Sequence, residues 1–170
     1  MGLKQSTNIT DMVYGCQRHD AFLVFGQETW RTGSEEQQIS TYTFIGSAPE
    51  TQTSRRGSKG VSITPSQRAT EAWKRTGREK HVPPGGDVGR LLAIRLEVRC
   101  GRRGKQYKRK LGIFAITGYA PHSGMPAAVL DAYYSDLQAL LAKRRKGDLL
   151  IAGVDGNASI GIGHLVNDSD

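Results

Sequence analysis

The apolar positions of this chain change period several times, and each change predicts an element. Ile9, Met12, Val13 and Cys16 recur at helical spacing, after which Ala21, Phe22, Leu23, Val24 and Phe25 form an unbroken apolar run that predicts a buried strand. The run ends at Gly26, Gln27 and Glu28. Residues 41–45 predict a second strand, the polar stretch 47–60 a loop, and residues 61–63 a third strand. Thr64-Pro65-Ser66-Gln67 has the form of a helix start, with Thr64 as N-cap, Pro65 in the first helical position and Gln67 reaching back; Ala69, Ala72, Trp73 and Thr76 then face the core. Beyond the loop at Pro83-Pro84-Gly85-Gly86, Leu92, Ile94, Leu96 and Val98 alternate with Arg95, Glu97 and Arg99, the signature of a half-buried strand. Residues 111–119 are apolar or small on both faces, so the two strands predict a hairpin with its tip at residues 100–110.

Leu130, Tyr133, Leu137, Leu140 and Leu141 mark a further helix, with Lys143, Arg144, Arg145 and Lys146 complementing its C-terminal dipole. The last strand, Leu149, Leu150, Ile151 and Ala152, has no polar alternation and is expected to be buried on both faces. Asp155 and Asn157 then emerge at the carboxyl end of a central strand, where open α/β sheets place their sites. Asp-Gly-Asn equally suits a plain turn, since all three residues tolerate turn backbone angles. The series predicts an α/β fold with a partly antiparallel sheet, and no internal repeat is present.

Length and composition narrow this picture. The 170 residues suffice for one domain with a sizeable core, and no window approaches the ~18 apolar residues of a membrane span. The N-terminus lacks the basic-then-apolar pattern of a secretory signal, so an intracellular protein is expected, in nucleus or cytoplasm, with Cys16 and Cys100 as unpaired thiols. The net charge of +8 is unevenly spread: residues 51–110 carry 17 basic and 4 acidic side chains. Such a block fits a polyanionic partner, most simply nucleic acid and DNA first, or else a solvated basic face. Arg102, Arg103, Lys105, Lys108, Arg109 and Lys110 on the hairpin tip are the candidate nucleic-acid contacts. No specific protein partner is predicted.

Three strand ends present polar groups: Gln27 with Glu28, Tyr119, and Asp155 with Asn157. A carboxylate for a hard cation, a phenol and an acid–amide pair suit phosphodiester hydrolysis. Mg²⁺ needs only one or two carboxylates beside water and substrate phosphate, and neutral donors can hold the phosphate.

VFGQETW at 24–30, RRGSKGVSITPSQRATEAWKR at 55–75, ITGYAPHSG at 116–124 and LLIAGVDGNASIG at 149–161 together resemble the endonuclease/exonuclease/phosphatase superfamily. The resemblance is nearest to the endonuclease domains of LINE-type retrotransposons and to exonuclease III-like apurinic-site endonucleases. It implies a partial four-layer α/β sandwich, mixed sheets flanked by helices, over one domain spanning residues 1–170. It further implies Mg²⁺ (or Mn²⁺) bound at Glu28, phosphate contacted by Tyr119 and Asn157, and Asp155 working on the attacking water or the leaving group. Val154 and Gly156 stand where the family's Gly-Asp-Phe-Asn motif has Gly and Phe. The family's first-strand Asn and its later Ser-Asp-His motif have no counterpart here, and His19, His81, His122 and His164 lack the right context. On this reading the domain is incomplete at both ends and its hydrolase activity is expected to be weak or absent. The alternatives are a non-catalytic nucleic-acid-binding remnant of a retroelement endonuclease and a phosphoesterase of the same superfamily.

Overall fold

The computed structural model describes residues 6–51, 59–83, 89–101 and 109–157. Its elements are α1 (Ser6–Arg18), β1 (Leu23–Gly26), β2 (Ser34–Ile39), β3 (Tyr42–Ser47), β4 (Val61–Pro65), α2 (Gln67–Lys74), β5 (Lys80–His81), β6 (Leu91–Cys100), β7 (Arg109–Tyr119), α3 (Ala127–Leu141) and β8 (Leu149–Asp155). The fold is mixed α/β, with three helices and two four-stranded sheets among the described residues. No described helix is long and apolar enough to cross a membrane.

The first sheet runs β1-β4-β3-β2 and is antiparallel throughout. Alternation along β3 divides its side chains between two cores. Tyr42 and Phe44 pack under Ile9 and Val13 of α1, while Ile45 turns the other way to join Val61 and Ile63. β2 escaped the sequence reading. Its Ser-Glu-Glu-Gln-Gln-Ile sequence has no apolar period, because an edge strand can be held by its backbone pairing alone, here to all six residues of β3.

The start of α2 differs from expectation. Ser66, not Thr64, is the N-cap, its hydroxyl accepting from Ala69 N at 3.5 Å, and Gln67 is the first helical residue. Pairing of β4 with β1 continues through Leu23 opposite Pro65, so Thr64 and Pro65 remain in the strand and the helix starts one residue after it. Ala69, Ala72 and Trp73 enter the central core as expected. Thr76 lies past the helix end, donating to Trp73 O and Arg95 O.

The second sheet runs β5-β6-β7-β8, antiparallel except for parallel β7 and β8. β6 is more buried than its alternation suggested. Leu92, Ile94 and Leu96 face the first sheet, while Leu91 and Ala93 pack with Phe114, Ile116 and the α3 residues Tyr133 and Leu140. The hairpin strands also run further into the tip, with Arg99 opposite Lys110 and Cys100 opposite Arg109. The four cations after α3 lie beyond its C-cap, Ala142, and not in its last turn.

β8 corrects the expectation of a central strand buried on both faces. It pairs only with β7 among the described residues, and Leu149, Leu150 and Val154 are 51%, 41% and 44% exposed. An apolar run carries the same signature whether or not a neighbour covers it. Here α3 lies over β6 and β7 and leaves Leu150 and Val154 open.

One ion pair ties β8 to the rest of its sheet. Arg95 on β6 reaches across β7 to make two bonds, of 2.7 and 2.9 Å, to the carboxylate of Asp148 at the foot of β8. The reach is possible because the intervening residue is Gly112, where a Cβ would fall 1.7 Å from Asp148 Oδ1. Both charged groups are largely buried, and the Arg95 guanidinium holds the Asp148 carboxyl below its ordinary value of 3.8. Removing one partner of such a pair strands the other charge. Asp148→Asn and Gly112→Ala are each expected to cost about 3 kcal/mol in urea denaturation, and the double variant little more than either alone. Because the folded-state pKa is depressed, this stabilisation is present above the unfolded-state value and lost as pH falls through the folded one. The gap between wild type and Asp148→Asn should therefore close on acidification below pH 3.8.

Candidate active site

The ends of β1, β7 and β8 meet at one end of the two sheets. Gln27, immediately after β1, donates to Thr117 Oγ1 at 3.2 Å and to Gly153 O at 3.0 Å, clasping the first sheet to the second. Phe25 packs over Gly153, whose missing side chain leaves room for the ring; a Cβ there would lie 2.4 Å from Phe25. Gln27, singled out beside Glu28 as candidate chemistry, is therefore a structural clasp.

That clasp sets where the next residue goes. Glu28 has φ +50°, a left-handed conformation that costs a non-glycine residue of order 1–2 kcal/mol. The turn is held from the far side by Thr29, 1% exposed, whose N–H donates to Gly60 O at 3.0 Å. Glu28 thereby points at the end of β7, where Tyr119 Oη donates to Glu28 Oε1 at 2.5 Å. The two residues are 91 positions apart.

Parallel pairing places Asp155 directly beside Tyr119, and Ala120 N donates to Asp155 O at 2.9 Å. Asp155 is exposed; its Oδ1 accepts from Asn157 N at 3.0 Å. Asn157, at φ +42°, donates through its side-chain amide to Ala120 O at 2.7 Å. The turn reading of Asp155-Gly156-Asn157 and the site reading thus coincide, because the turn itself holds the acid and the amide against Tyr119 and Ala120. Left-handed backbone at Glu28 is strain of the kind functional sites can hold, while Asn157 adopts it at little cost.

Burial raises the Tyr119 phenol above its ordinary value, helped by the bond to Glu28 and the charges of Glu28 and Asp155; contact with Asn157 works the other way. Tyr119 is therefore a neutral donor at physiological pH. Two residues not singled out from sequence flank this end of β7. Arg90 is buried, its guanidinium 5.5 Å from the Tyr119 ring centre, with Nη1 donating to Tyr119 O at 3.3 Å and its own carbonyl accepting from Tyr119 N at 2.8 Å. Tyr133 on α3 brings a buried hydroxyl close beneath Gly118, on the opposite face of β7, and burial pushes its phenol up to about 12. That hydroxyl has no hydrogen-bond partner among the described residues. Arg90 carries no sequence signal, standing just outside β6, and Tyr133 reads simply as one more helical core position.

The other expected contacts fall elsewhere. Arg102, Arg103, Lys105 and Lys108 lie outside the described residues, as does His164. Arg109 and Lys110 are exposed at the opposite end of β7, with Lys110 nine residues from Tyr119 and so about 30 Å away along the strand. His122 is exposed, its Nδ1 accepting from Gly124 N at 3.2 Å. A polar hollow lined by Gln17, Asp20, Tyr42, Ser66 and Arg68 opens at the far end of the first sheet and shares no side chain with this cluster. No group of three or more His, Cys, Asp or Glu side chains suited to a metal occurs among the described residues. The donor set nevertheless fits Mg²⁺, which takes one or two carboxylates and completes its shell with water and phosphate oxygens. Glu28 has one oxygen engaged by Tyr119, and exposed Asp155 is the register partner of that same tyrosine.

Comparison with protein-family models, with curated proteins and with solved structures finds no match to this chain.

Two substitutions test the local chemistry. Tyr133→Phe removes an unpartnered buried hydroxyl and is expected to leave stability unchanged or raise it by about 1 kcal/mol in urea denaturation. In an alkaline absorbance titration, Tyr119→Phe should delete one tyrosine that ionises above 10.0; loss of a phenol titrating at the ordinary value would contradict the burial argument.

Proposed function

We propose that this chain is a domain of the endonuclease/exonuclease/phosphatase type, whose Glu28, Tyr119, Asp155 and Asn157 serve Mg²⁺-dependent hydrolysis of phosphodiesters in nucleic acid. The observation that carries the reading is convergence. Three segments far apart in sequence deliver an acid, a phenol and an acid–amide pair to one strand-end cluster, joined through the Tyr119–Glu28 bond and the Tyr119–Asp155 register. Further support comes from the layering, with α1 and α3 on the outer faces of two sheets packed against each other.

In this reading Glu28 would hold the metal, which when bound supplies charge neutralisation at the phosphoryl oxygens. The chain's own groups do the rest. Asp155, exposed and already accepting one N–H, has acceptor capacity left to orient a water or take its proton. The Tyr119 phenol, kept protonated, would have to turn its single O–H from Glu28 to donate to a phosphate oxygen, and the Asn157 amide, held by Ala120 O, offers a second neutral donor.

A non-catalytic nucleic-acid-binding role is the second reading. It is favoured by the distance of Arg109 and Lys110 from the cluster. The two are separated by incubating the purified chain with Mg²⁺ and either an abasic-site duplex or supercoiled plasmid. Slow cleavage is expected, reduced on the order of 100-fold or more by Glu28→Ala and by Asp155→Asn. Rates indistinguishable from background in wild type and variants alike would reject the hydrolase.

A further inference from the structure

We propose that the foot of the second sheet is a nucleic-acid-binding surface in its own right, formed by Arg99 and Lys110 of the β6–β7 hairpin together with Lys143, Arg144, Arg145 and Lys146 of the turn between α3 and β8. It rests on the nucleic-acid part of the reading above and is independent of hydrolysis.

The strand register assembles it. Ala93 on β6 and Phe114 and Ile116 on β7 pack with α3, so two-residue alternation places Arg95, Arg99, Lys110 and Gly112 on that same face. The turn after α3 arrives there as well, since Asp148, two residues beyond Lys146, meets Arg95 over Gly112. Lys110 lies only two residues further down β7, roughly 7 Å. Residues that are 33 positions apart in sequence, Lys110 and Lys143, are thereby brought to one face of one sheet end.

The charge on this face is unbalanced. All six cations are exposed. Lys110 pairs with Glu97 at 3.2 Å and Arg145 with Glu79 at 2.7 Å, while Asp148 is already neutralised by Arg95. Arg144 donates to Asp148 O, which shapes the turn and leaves its charge uncompensated. Arg99, Lys143 and Lys146 have no ion pair with a described residue. The carriers are also preorganised: backbone bonds from Lys143 N to Leu140 O, from Arg144 N to Leu141 O and from Asp148 N to Arg145 O close the turn.

A nucleic-acid backbone fits this surface better than a lipid headgroup layer. The cations are spread over two strands and a turn, matching phosphates repeated along a backbone, and half are arginines, whose planar fork suits phosphate oxygens. Among the described residues, the exposed aromatic side chains, Tyr14 and Tyr134, are on neither these strands nor this turn. Lys110, the far end of this surface, lies about 30 Å from Tyr119 along β7, so holding a nucleic acid and acting on it are separable.

The test is fluorescence anisotropy of the full chain with a labelled 20-base-pair DNA duplex between 50 and 200 mM NaCl, beside flotation with vesicles containing 30% phosphatidylserine. Wild type should bind DNA with steep salt dependence. Lys143→Ala/Lys146→Ala should weaken binding about 10-fold at low salt and reduce the log–log salt slope by about 2, with wild-type circular dichroism. Lys143→Arg/Lys146→Arg should bind as wild type. DNA binding without Mg²⁺-dependent cleavage would end the hydrolase reading and leave this surface standing. Wild-type affinity and slope in the alanine pair, equal weakening in the arginine pair, or capture by vesicles without binding to DNA would overturn it.

Discussion

The bridge from Arg95 over Gly112 to Asp148 is the constraint on which the rest of this structure turns. β8 is parallel to β7, so no hairpin fixes its register, and among the described residues no strand flanks it on the other side. A slip of one residue would move every β8 side chain to the opposite face and take Asp155 away from Tyr119. The buried guanidinium–carboxylate pair pins the foot of β8 at the level of Gly112, and the seven paired positions above it then carry Asp155 to Tyr119. Separating a buried ion pair leaves a charge uncompensated, so any register that parts Arg95 from Asp148 is penalised.

A second tie acts at the other end of the strands. Phe25 fits against Gly153, and Gln27 spends its amide on Thr117 and Gly153 O, so the edge strands of the two sheets are locked together one residue before Glu28. The left-handed turn at Glu28 is tolerable because both sides of it are already held, by Gln27 across the sheets and by buried Thr29 on Gly60. Tyr119 completes the set from beneath, stacked by Arg90 and raised in pKa by burial and the Glu28 bond. The candidate chemistry thus sits where two sheets end together, while the described cations of the hairpin and of the α3–β8 turn gather at the far end of the second sheet.

Most elements were legible from period alone. The α1 and α3 stripes, the β6–β7 hairpin and the β3 and β4 strands follow from apolar spacing because each buries a regular face. β2 was not legible, since its pairing with β3 is a backbone matter and its side chains are polar. The cap at Ser66 was missed for a related reason: Thr64 has the right chemistry, but β4 still needs it in the ladder with Val24.

By itself, the sequence determined most segments and their types, β2 and β5 excepted, and the identities of Glu28, Tyr119, Asp155 and Asn157 as polar groups at strand ends, because period and local chemistry are properties of neighbouring residues. Only the tertiary structure decided that Gln27 is a clasp, that β8 lies at an edge with Leu149 and Leu150 exposed, that Arg90 attends Tyr119 while Tyr133 lies beneath Gly118 on the other face of β7, and that Arg99 and Lys110 share a face with the turn after α3. Each of these depends on contacts between residues tens of positions apart. Such contacts are set by sheet register and by space, as at Gly112 and Gly153, where the deciding feature is a side chain that is not there.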